Sequence, residues 1–418
     1  MKILLINKFH YYKGGSETYY FGLADLLRKR GHQVIFFSMK DERNVPCEQE
    51  KYFVENVDYN GKLTKKQMVH EGLKMLYSFE AKKKLEQLIE EEKPDVAHIN
   101  LFQSQLTGSI IDVLYKHHIP MVYTAHDLKV ICPTYLFMCR GEICRECMYG
   151  NYLSCIRKKC MKDSLAKSLL AVMEAEVYRI HHTYNKIDLI LAPSDHHKKY
   201  LAESKATKTP IIRMRNFLPE TVRPVAEVKA GTYFLYFGRI SQEKGVYTLV
   251  CAYAMSGMST PLYLVGSGPL EEDVKKLIED LHMQEQIHML GYKRGAELTQ
   301  IVEGAKCVLL PSECCENAPY SILEAMAAGR PAIVANNGGL PEIVQAGKTG
   351  FIAEPRNPEN LAHTMQQVDA LTEEQLVQMG RNAQELVKQI ADPEKYVSRM
   401  EQIYTRLLKR KHNYRKSK

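Results

Sequence analysis

Two glutamates lie eight positions apart in the stretch PSECCENAPYSILEAMAAGRPAIV, residues 311–334. Glu316 follows an apolar run typical of a buried strand, and Glu324 falls in a helical pattern that starts near Tyr320 or Ser321. This start would place Glu324 in the first turn of the helix, where the helix dipole favours a charged carboxylate. Each carboxylate could then accept hydrogen bonds from two neighbouring hydroxyl groups. The alternative is a capping role for Glu324 and a surface position for Glu316.

Two cations follow another strand-like run, in YFLYFGRISQEKGVYTLV. Gly238 would let the backbone turn sharply at the end of this strand, and Arg239 and Lys244 would lie in the loop before the next helix. Two cations beside a helix N-terminus can surround a diphosphate, although they could also be solvated loop charges. Taken with the two carboxylates, they suit a ligand in which two sugars are joined by a diphosphate, which is a nucleotide sugar.

Further candidates follow strands in the first half of the chain. His126 and Asp127 come directly after a strand in YTAHDLKVICP, and parallel sheets bind ligands outside the carboxyl ends of their strands. Gly14 and Gly15 in NKFHYYKGGSE precede a helix start, where backbone N–H groups could hold a phosphate. This pair is not the full dinucleotide fingerprint of three spaced glycines, so a plain turn is the alternative.

The elements that position these residues alternate between strand and helix, which predicts an α/β fold with parallel sheets covered on both faces. The expected strands are KILLIN, HQVIFFS, PDVAHIN, PMVYTAH and IDLILAPS in the first half, and YFLYFG, LYLVG, IHMLG, CVLLPS, PAIVAN and GFIAE in the second. Ser16 is the expected N-cap of the first helix and Gly31 its stop. We therefore expect two Rossmann-like domains that face each other across a cleft.

A polar segment with two prolines and a glycine separates the two halves. We place an N-terminal domain at 1–217, with a cysteine-rich insertion at about 132–160, then a linker at 218–231 and a C-terminal domain at 232–371. A helical region at 372–418 could pack back onto the first domain. The length of 418 residues, with 45% apolar and 25% charged residues, is that of two ordinary globular domains.

Charge and hydropathy bear on the compartment and the partners. No run of 18 or more apolar residues appears, and MKILLINKF is too short an apolar region for a signal peptide, so we expect a cytoplasmic protein that spans no membrane. The net charge of +8 falls to +1 without residues 406–418, which carry seven Lys or Arg and no acid. This basic tail could be a solvated terminus or could bind anionic lipid at the inner membrane face. Nucleic acid is the least favoured partner, and we expect none.

Six of the eleven cysteines fall within 29 residues, and disulfides are rare in a reducing cytoplasm. Cys144 and Cys147 have the spacing of half a zinc knuckle. We expect Cys139, Cys144, Cys147 and Cys155 to hold a structural zinc ion, with Cys160 able to replace one of them, whereas unligated thiols are the alternative. The sequence SCIRKKCMKDSLAK makes this insertion basic, which agrees with a lipid-diphosphate acceptor at a membrane surface.

The ordered set GGSE, AHD, FGRISQEKG, VGSGP, LGY and ENAPYSILEAMAAGRPAIV resembles the retaining glycosyltransferases of family 4, which have the two-domain GT-B fold. The resemblance runs from residue 1 to about 370, and the two glutamates with Arg239 and Lys244 are its most specific part. It implies that the C-terminal domain binds a nucleoside-diphosphate sugar. Arg239 and Lys244 would hold the diphosphate and neutralise the charge of the departing nucleoside diphosphate. Glu316 would bind hydroxyls of the transferred sugar, and Glu324 those of the ribose.

The resemblance also assigns the remaining site residues. His126 would contact the transferred sugar from the first domain, and the backbone near Gly291 and Tyr292 would meet the base. Gly14 and Gly15 would lie beside the phosphates and the acceptor. The implied catalytic residues are His126, Arg239, Lys244 and Glu316, and the implied donor-binding residues are Gly14, Gly15, Gly238, Arg239, Lys244, Gly291, Tyr292, Tyr320, Ser321 and Glu324.

The implied reaction is transfer of a sugar with retention of anomeric configuration, by front-face attack and without a covalent intermediate. Asp127 is the nearest candidate for a nucleophile, and the lack of an Asp-x-Asp motif where this fold would need one suggests that catalysis needs no divalent metal. The acceptor would be a lipid-linked precursor of a capsule, O-antigen or exopolysaccharide. One departure from the family is Asn317-Ala318-Pro319 in place of Gly-Phe-Gly, because Pro319 has no N–H to offer the donor. A nucleotide-sugar epimerase of the same fold and a non-catalytic sugar-nucleotide-binding scaffold are the alternatives.

Overall fold

The computed structural model describes residues 1–56, 72–222 and 224–416. It confirms the α/β class, because two six-stranded parallel sheets alternate with helices along the chain. Within the described residues, no helix is long and apolar enough to cross a bilayer.

The chain divides into two compact units. Unit 1 comprises Met1–Phe137, Cys144–Met214 and Pro393–Lys418, and unit 2 comprises Met138–Ile143 and Arg215–Asp392. The region after residue 371 is therefore divided, because its first part stays in unit 2 and its last helix belongs to unit 1.

The sheet of unit 1 is built from short apolar runs that are buried on both faces, as parallel strands between helices require. Its strands are β1 Lys2–Ile6, β2 Gln33–Phe37, β3 Val96–Ile99, β4 Met121–Thr124, β7 Leu189–Ala192 and β8 Ile211–Arg213. Their order across the sheet is β2-β1-β3-β4-β7-β8, and each neighbouring pair is parallel. The order reverses between β1 and β3, so a crevice opens at the carboxyl ends of these two strands.

The sheet of unit 2 repeats this plan. Its strands are β9 Tyr233–Phe237, β10 Leu262–Val265, β11 Ile287–Gly291, β12 Ala305–Leu310, β13 Ala332–Ala335 and β14 Gly350–Ala353. Their order is β11-β10-β9-β12-β13-β14, so the reversal lies between β9 and β12. A hairpin of two short strands of two residues each, β5 Met138–Cys139 and β6 Glu142–Ile143, also belongs to this unit.

Helices cover the sheets. Those of unit 1 are Gly15–Lys29, Phe79–Glu92, Ser109–Lys116, Leu153–Arg157, Leu165–Ile180, Asp195–Glu203 and Pro393–Lys416. Those of unit 2 are Val246–Ser256, Glu271–Asp280, Gly295–Glu303, Tyr320–Ala327, Pro358–Asp369 and Glu373–Ile390. The prediction that Ser16 caps the first helix is wrong, since Gly14 is the N-cap and the Ser16 hydroxyl donates instead to the Glu17 carboxylate at 2.9 Å.

The last helix completes the core of unit 1. The hydroxyls of Tyr396 and Tyr19 lie 2.5 Å apart, and the Tyr404 hydroxyl lies 2.6 Å from Nδ1 of His98. Lys411, a cation of the basic tail, pairs with Asp188 at 3.1 Å. The start of this tail is therefore an ordered part of unit 1, whereas residues 417–418 lie outside the described residues.

Candidate functional site

The crevice of unit 2 brings together side chains from the loops that follow β9 and β12. The Lys244 ammonium donates a hydrogen bond to Oε1 of Glu316, and the Ser312 hydroxyl donates to the same oxygen at 2.9 Å. Arg239 is also on the loop after β9, where its exposed guanidinium lies 4.0 Å from Glu243. A cation pair and a carboxylate thus share one end of the sheet, at the place where such sheets bind ligands.

Lys244 and Glu316 keep each other charged. Burial alone would raise the pKa of the Glu316 carboxyl, but the Lys244 charge and the hydrogen bonds that the carboxylate accepts together hold the pKa below its ordinary value. Burial would likewise lower the pKa of Lys244, and the Glu316 carboxylate instead raises it. At neutral pH both groups therefore carry their charges in a partly buried ion pair.

Backbone and side-chain hydrogen bonds fix the loop that carries Glu316. The carbonyl of Glu243 accepts from the amides of Glu313 at 2.9 Å and Cys314 at 3.2 Å. The Asn337 amide group donates to the carbonyls of the same two residues, at 2.9 and 2.8 Å. These bonds hold the loop to the two neighbouring strand ends, so the position of Glu316 is set by the sheet.

The NNGG segment after β13 also shapes the loop that carries Glu316, a contribution not predicted above. A Cβ atom on Gly338 would come within 2.2 Å of the carbonyl oxygen of Glu316, and Gly338 also has a φ of 61°, so only glycine fits there. The Gly339 amide donates to the same carbonyl at 2.7 Å. The signal was present in the sequence, because two glycines directly follow a predicted strand.

Glycines lie at the ends of three neighbouring strands of this sheet, with Gly238 after β9, Gly266 after β10 and Gly291 at the end of β11. A Cβ atom on Gly266 would come within 1.8 Å of the Gly238 carbonyl oxygen, and the Gly266 amide donates to the Gly291 carbonyl at 2.8 Å. Gly291 has a φ of 68°, and the following Tyr292 ring is exposed. The backbone here is close-packed and ends in an exposed aromatic ring, which suits contact with a flat ligand.

Glu324 differs from its prediction. The helix begins at Tyr320 after the N-cap Pro319, so Glu324 is its fifth residue and lies beyond the first turn. Burial raises the pKa of this carboxyl to about 7. The expected support from the helix dipole is absent, and the group titrates near neutral pH instead of staying fully charged.

We expect Glu324→Gln to change how thermal stability depends on pH. A raised pKa in the folded state means that the native carboxyl stabilises the fold below its unfolded pKa and loses this contribution as pH rises through about 7. The melting temperature of the variant should therefore rise relative to that of the parent as pH increases from 5 to 8. Glu279→Gln, on an exposed position of another unit 2 helix, is the control and should follow the parent. Parallel curves for the parent and Glu324→Gln would contradict the pKa of about 7.

The segment Asn317-Ala318-Pro319, which replaces Gly-Phe-Gly, changes which backbone groups can donate hydrogen bonds. The Ala318 amide donates to the side chain of Asn317, and the Ala318 carbonyl accepts from Asn216 at 2.9 Å. Since Pro319 has no N–H, the first backbone donors of the helix that lack an intrahelical acceptor are those of Tyr320 and Ser321.

The crevice of unit 1 holds His126. Its Nε2 atom lies 2.9 Å from Oδ1 of Asn100, which follows β3. Its ring and the Tyr19 ring pack edge to face, with their centroids 4.8 Å apart. Burial lowers the pKa of His126 to about 3, so the ring is neutral at physiological pH. Because an amide oxygen only accepts, Nε2 carries the proton and Nδ1 is an acceptor. His126 can therefore orient a hydroxyl group but cannot supply a positive charge.

Gly14 and Gly15 lie at the start of the first helix of unit 1, as the N-cap and first helical residue. The Glu17 carboxylate lies beside them and is buried, accepting hydrogen bonds from Asn7 at 3.1 Å and from Ser16 at 2.9 Å. Burial raises the pKa of Glu17. A carboxyl group, and not only backbone N–H, therefore borders the predicted phosphate position.

A buried ion pair lies under the loop that carries His126, and the sequence did not reveal it. Lys129 and Glu174 pair at 2.8 Å with side chains only 8% and 0% exposed. Glu174 also accepts from the Ser104 amide at 2.6 Å and the Tyr178 hydroxyl at 3.1 Å. The Lys129 amide donates to Asp127 at 2.9 Å. Asp127 is thus held by the backbone of its own loop, and that loop is anchored to the helix Leu165–Ile180.

We expect Lys129→Ala to destabilise unit 1 strongly, because it leaves the Glu174 carboxylate buried without its cation. Removing one partner of a buried pair costs about 3–5 kcal/mol, which for a unit of this size lowers the melting temperature by on the order of 10 °C. Lys199→Ala, which breaks an exposed pair with Glu203 at 3.9 Å, is the matched control and should change it by no more than about 2 °C. Equal effects of the two substitutions would show that the buried pair is not important for stability.

The structure does not assemble the predicted zinc site. Cys147 and Cys155 pack with Tyr152 and Val172 in an apolar cluster, and burial raises the pKa of the Cys147 thiol to about 12. In the part of the chain that the structure describes, no group of three or more His, Cys, Asp or Glu is arranged to hold a metal ion. The predicted set was Cys139, Cys144, Cys147 and Cys155, and Cys139 belongs to unit 2 whereas the other three belong to unit 1.

Comparison with known families gives two adjacent matches. Residues 13–218 match the family described as Glycosyltransferase Family 4, and residues 219–386 match the family described as Glycosyl transferases group 1. The boundary between the matches falls just after the end of the first sheet.

Individual relatives are more distant. WcaL of Escherichia coli, a glycosyltransferase assigned to colanic acid biosynthesis, is 26% identical over 185 residues, which cover 42% of this chain and 45% of that protein. N-acetyl-alpha-D-glucosaminyl L-malate synthase of Bacillus anthracis is 32% identical over 178 residues, which also cover 42% of this chain and 45% of that protein. The chain thus spans less than half the length of these relatives.

Solved structures share the fold over nearly the whole chain. Sucrose-phosphate synthase from Thermosynechococcus elongatus superposes with a TM-score of 0.70 at 19% identity and covers 97% of this chain and 98% of its own. HepE of Anabaena in complex with UDP-glucose superposes with a TM-score of 0.66 at 19% identity and covers 97% of this chain and 99% of its own.

Proposed function

This chain belongs to the family 4 glycosyltransferases of the GT-B fold, and we propose that it transfers a sugar from a nucleoside-diphosphate sugar to an acceptor with retention of anomeric configuration. The observation that carries the proposal is the Lys244–Glu316 pair at the β9/β12 crevice, with Arg239 on the same loop as Lys244. A diphosphate needs cations, a sugar needs hydrogen-bond acceptors, and this crevice offers both.

The roles of these residues follow from their charges. Arg239 and Lys244 neutralise the diphosphate, whose oxygen takes the electron pair when the bond to the anomeric carbon breaks. The acceptor hydroxyl forms the new bond to that carbon, and its proton passes to the departing phosphate oxygen. When the Lys244 ammonium binds the diphosphate instead of Glu316, the Glu316 carboxylate can accept hydrogen bonds from the sugar hydroxyls. Glu324 binds the ribose hydroxyls, and neutral His126 can orient a hydroxyl group at the crevice of unit 1.

We further propose that the acceptor is a lipid-linked saccharide in the assembly of a cell-surface polysaccharide, at the inner face of the membrane. The supporting observation is the similarity to WcaL, which is assigned to colanic acid biosynthesis. The structure of HepE with UDP-glucose supports a nucleotide-sugar donor.

The test is a thermal-shift screen of the purified chain against nucleoside diphosphates and their common sugars. A ligand at 100 times its dissociation constant adds about 2.7 kcal/mol to stability, which gives a shift that is easily measured. A donor that shifts the melting temperature is then incubated with and without lipid-linked acceptor, and the released nucleoside diphosphate and the product anomer are measured. Acceptor-dependent release with a retained anomer supports the proposal. Conversion of the donor to its epimer without acceptor identifies an epimerase, and a shift without any turnover identifies a sugar-nucleotide-binding scaffold. A lack of any shift contradicts the proposed donor site.

A further inference from the structure

The helix Leu165–Ile180 presents a fixed apolar face to solvent. Its other face is buried against unit 1 through Ser168, Ala171, Val172, Glu174 and Tyr178. The buried Glu174 also forms the ion pair described above, so the helix cannot rotate without breaking it. Whatever lies on its outer face is therefore held in a constant orientation.

Four large apolar side chains lie on that outer face. Leu165, Leu169, Met173 and Ile180 are 55%, 46%, 42% and 65% exposed. At 3.6 residues per turn they fall within about 80° of arc, which also holds Glu176, paired with Arg179, between Met173 and Ile180. We call them the apolar stripe.

A segment with further exposed apolar side chains lies next to this helix. A Cβ atom on Gly72 would lie 3.7 Å from the side chain of Leu170, and the Tyr77 ring lies 6.5 Å from the ring of His181. This segment exposes Leu73 and Phe79 as well. Soluble monomers rarely expose connected apolar patches of this kind without a binding role.

Cations precede the N-terminal end of the stripe along the chain. Residues 157–167 contain five Lys or Arg and one acid, Asp163. The exposed cations are Arg157, Lys159, Lys162 and Lys167, and the fifth, Lys158, pairs with Glu146. An exposed apolar stripe beside Lys and Arg is the pattern of helices that lie in the interface of an anionic bilayer.

We propose that the apolar stripe and the cations of residues 157–167 dock unit 1 on an anionic lipid bilayer. This inference rests on the proposed function, because a lipid-linked acceptor is presented at such a surface, and it names the surface that meets the bilayer. A second copy of the chain is the other possible occupant, and the light-scattering measurement below tests for it.

The experiment measures binding of the full chain to vesicles of phosphatidylglycerol and phosphatidylcholine, by co-sedimentation and at two salt concentrations. We expect the parent to bind these vesicles, to bind vesicles of phosphatidylcholine alone weakly, and to bind less at high salt. Leu169→Glu with Met173→Glu should weaken binding at least about tenfold, because two apolar side chains no longer enter the bilayer. Arg157→Glu with Lys159→Glu should weaken it and remove most of its salt dependence.

Met255→Glu is the matched control, because Met255 is also an exposed methionine on a helix but belongs to unit 2. It should bind vesicles as the parent does. Melting temperature and the nucleotide-induced shift should be unchanged in the stripe variant, so a failure of docking is distinguishable from a failure of the proposed function. Equal binding of the stripe variant and the parent, or no binding by the parent, would overturn the inference. So would light scattering that shows a dimer of the parent lost in the stripe variant.

Discussion

Replacing Arg239 and Lys244 together by alanine is expected to lower the affinity for the nucleoside diphosphate by about 100-fold or more. Each cation makes charge-assisted hydrogen bonds worth about 1.5–3 kcal/mol, and every 1.4 kcal/mol corresponds to a factor of ten. Titration calorimetry with the diphosphate identified in the screen measures the loss directly. Lys275→Ala, which removes an exposed lysine 3.5 Å from Glu272 in the same unit, should leave the affinity within about twofold.

The double variant also removes the partner of Glu316, so its fold needs a separate check. Lys244→Met combined with Glu316→Gln leaves no buried charge without its partner and should keep the melting temperature closer to that of the parent. If this combination binds the diphosphate as the parent does, Lys244 has no role in holding it. If Arg239→Ala alone also has no effect, the β9/β12 crevice is not the diphosphate site.

Glu316→Ala is expected to reduce sugar transfer by about 100- to 1,000-fold while part of the diphosphate affinity remains. The carboxylate would hold the transferred sugar as positive charge develops at its anomeric carbon, and preorganised groups of this kind contribute about that factor. The measurement is kcat for acceptor-dependent release of the nucleoside diphosphate, with calorimetry for diphosphate affinity. The two readouts separate a catalytic role from a binding role.

The control for Glu316→Ala is Glu279→Ala, since Glu279 is exposed on another helix of unit 2. Its kcat should match that of the parent. Full transfer activity in Glu316→Ala would remove this residue from the mechanism. Loss of diphosphate affinity equal to the loss of kcat would instead assign Glu316 to positioning Lys244.

The sheets could be predicted from the sequence because strands buried on both faces are continuous apolar runs. All eleven predicted strands are present. The edge strand Ile211–Arg213 was missed because it is only half-buried, and the two-residue hairpin Met138–Ile143 is too short to show a pattern. The helical pattern after residue 371 could not show which unit each helix joins, since an amphipathic helix fits either core.

At the site, strand ends and residue types placed Arg239, Lys244 and Glu316 on the loops at the reversal in strand order. The protonation state of Glu324 could not be predicted, because its pKa depends on burial by residues distant in sequence. The same holds for Glu174, which in the sequence is one charge among several on a helix but is fully buried in the structure. Cysteine spacing was similarly insufficient, since it does not tell whether thiols converge on a metal or pack in an apolar cluster.

The last helix has a consequence for biosynthesis. Tyr19 and His98 of unit 1 obtain their partners Tyr396 and Tyr404 only after the ribosome has made the whole of unit 2. Domains generally fold as units while the chain is synthesised, so unit 2 can close first although its sequence comes later. Until the last helix is made, the nascent first half of the chain has part of its core exposed. We therefore expect chaperones to bind this half.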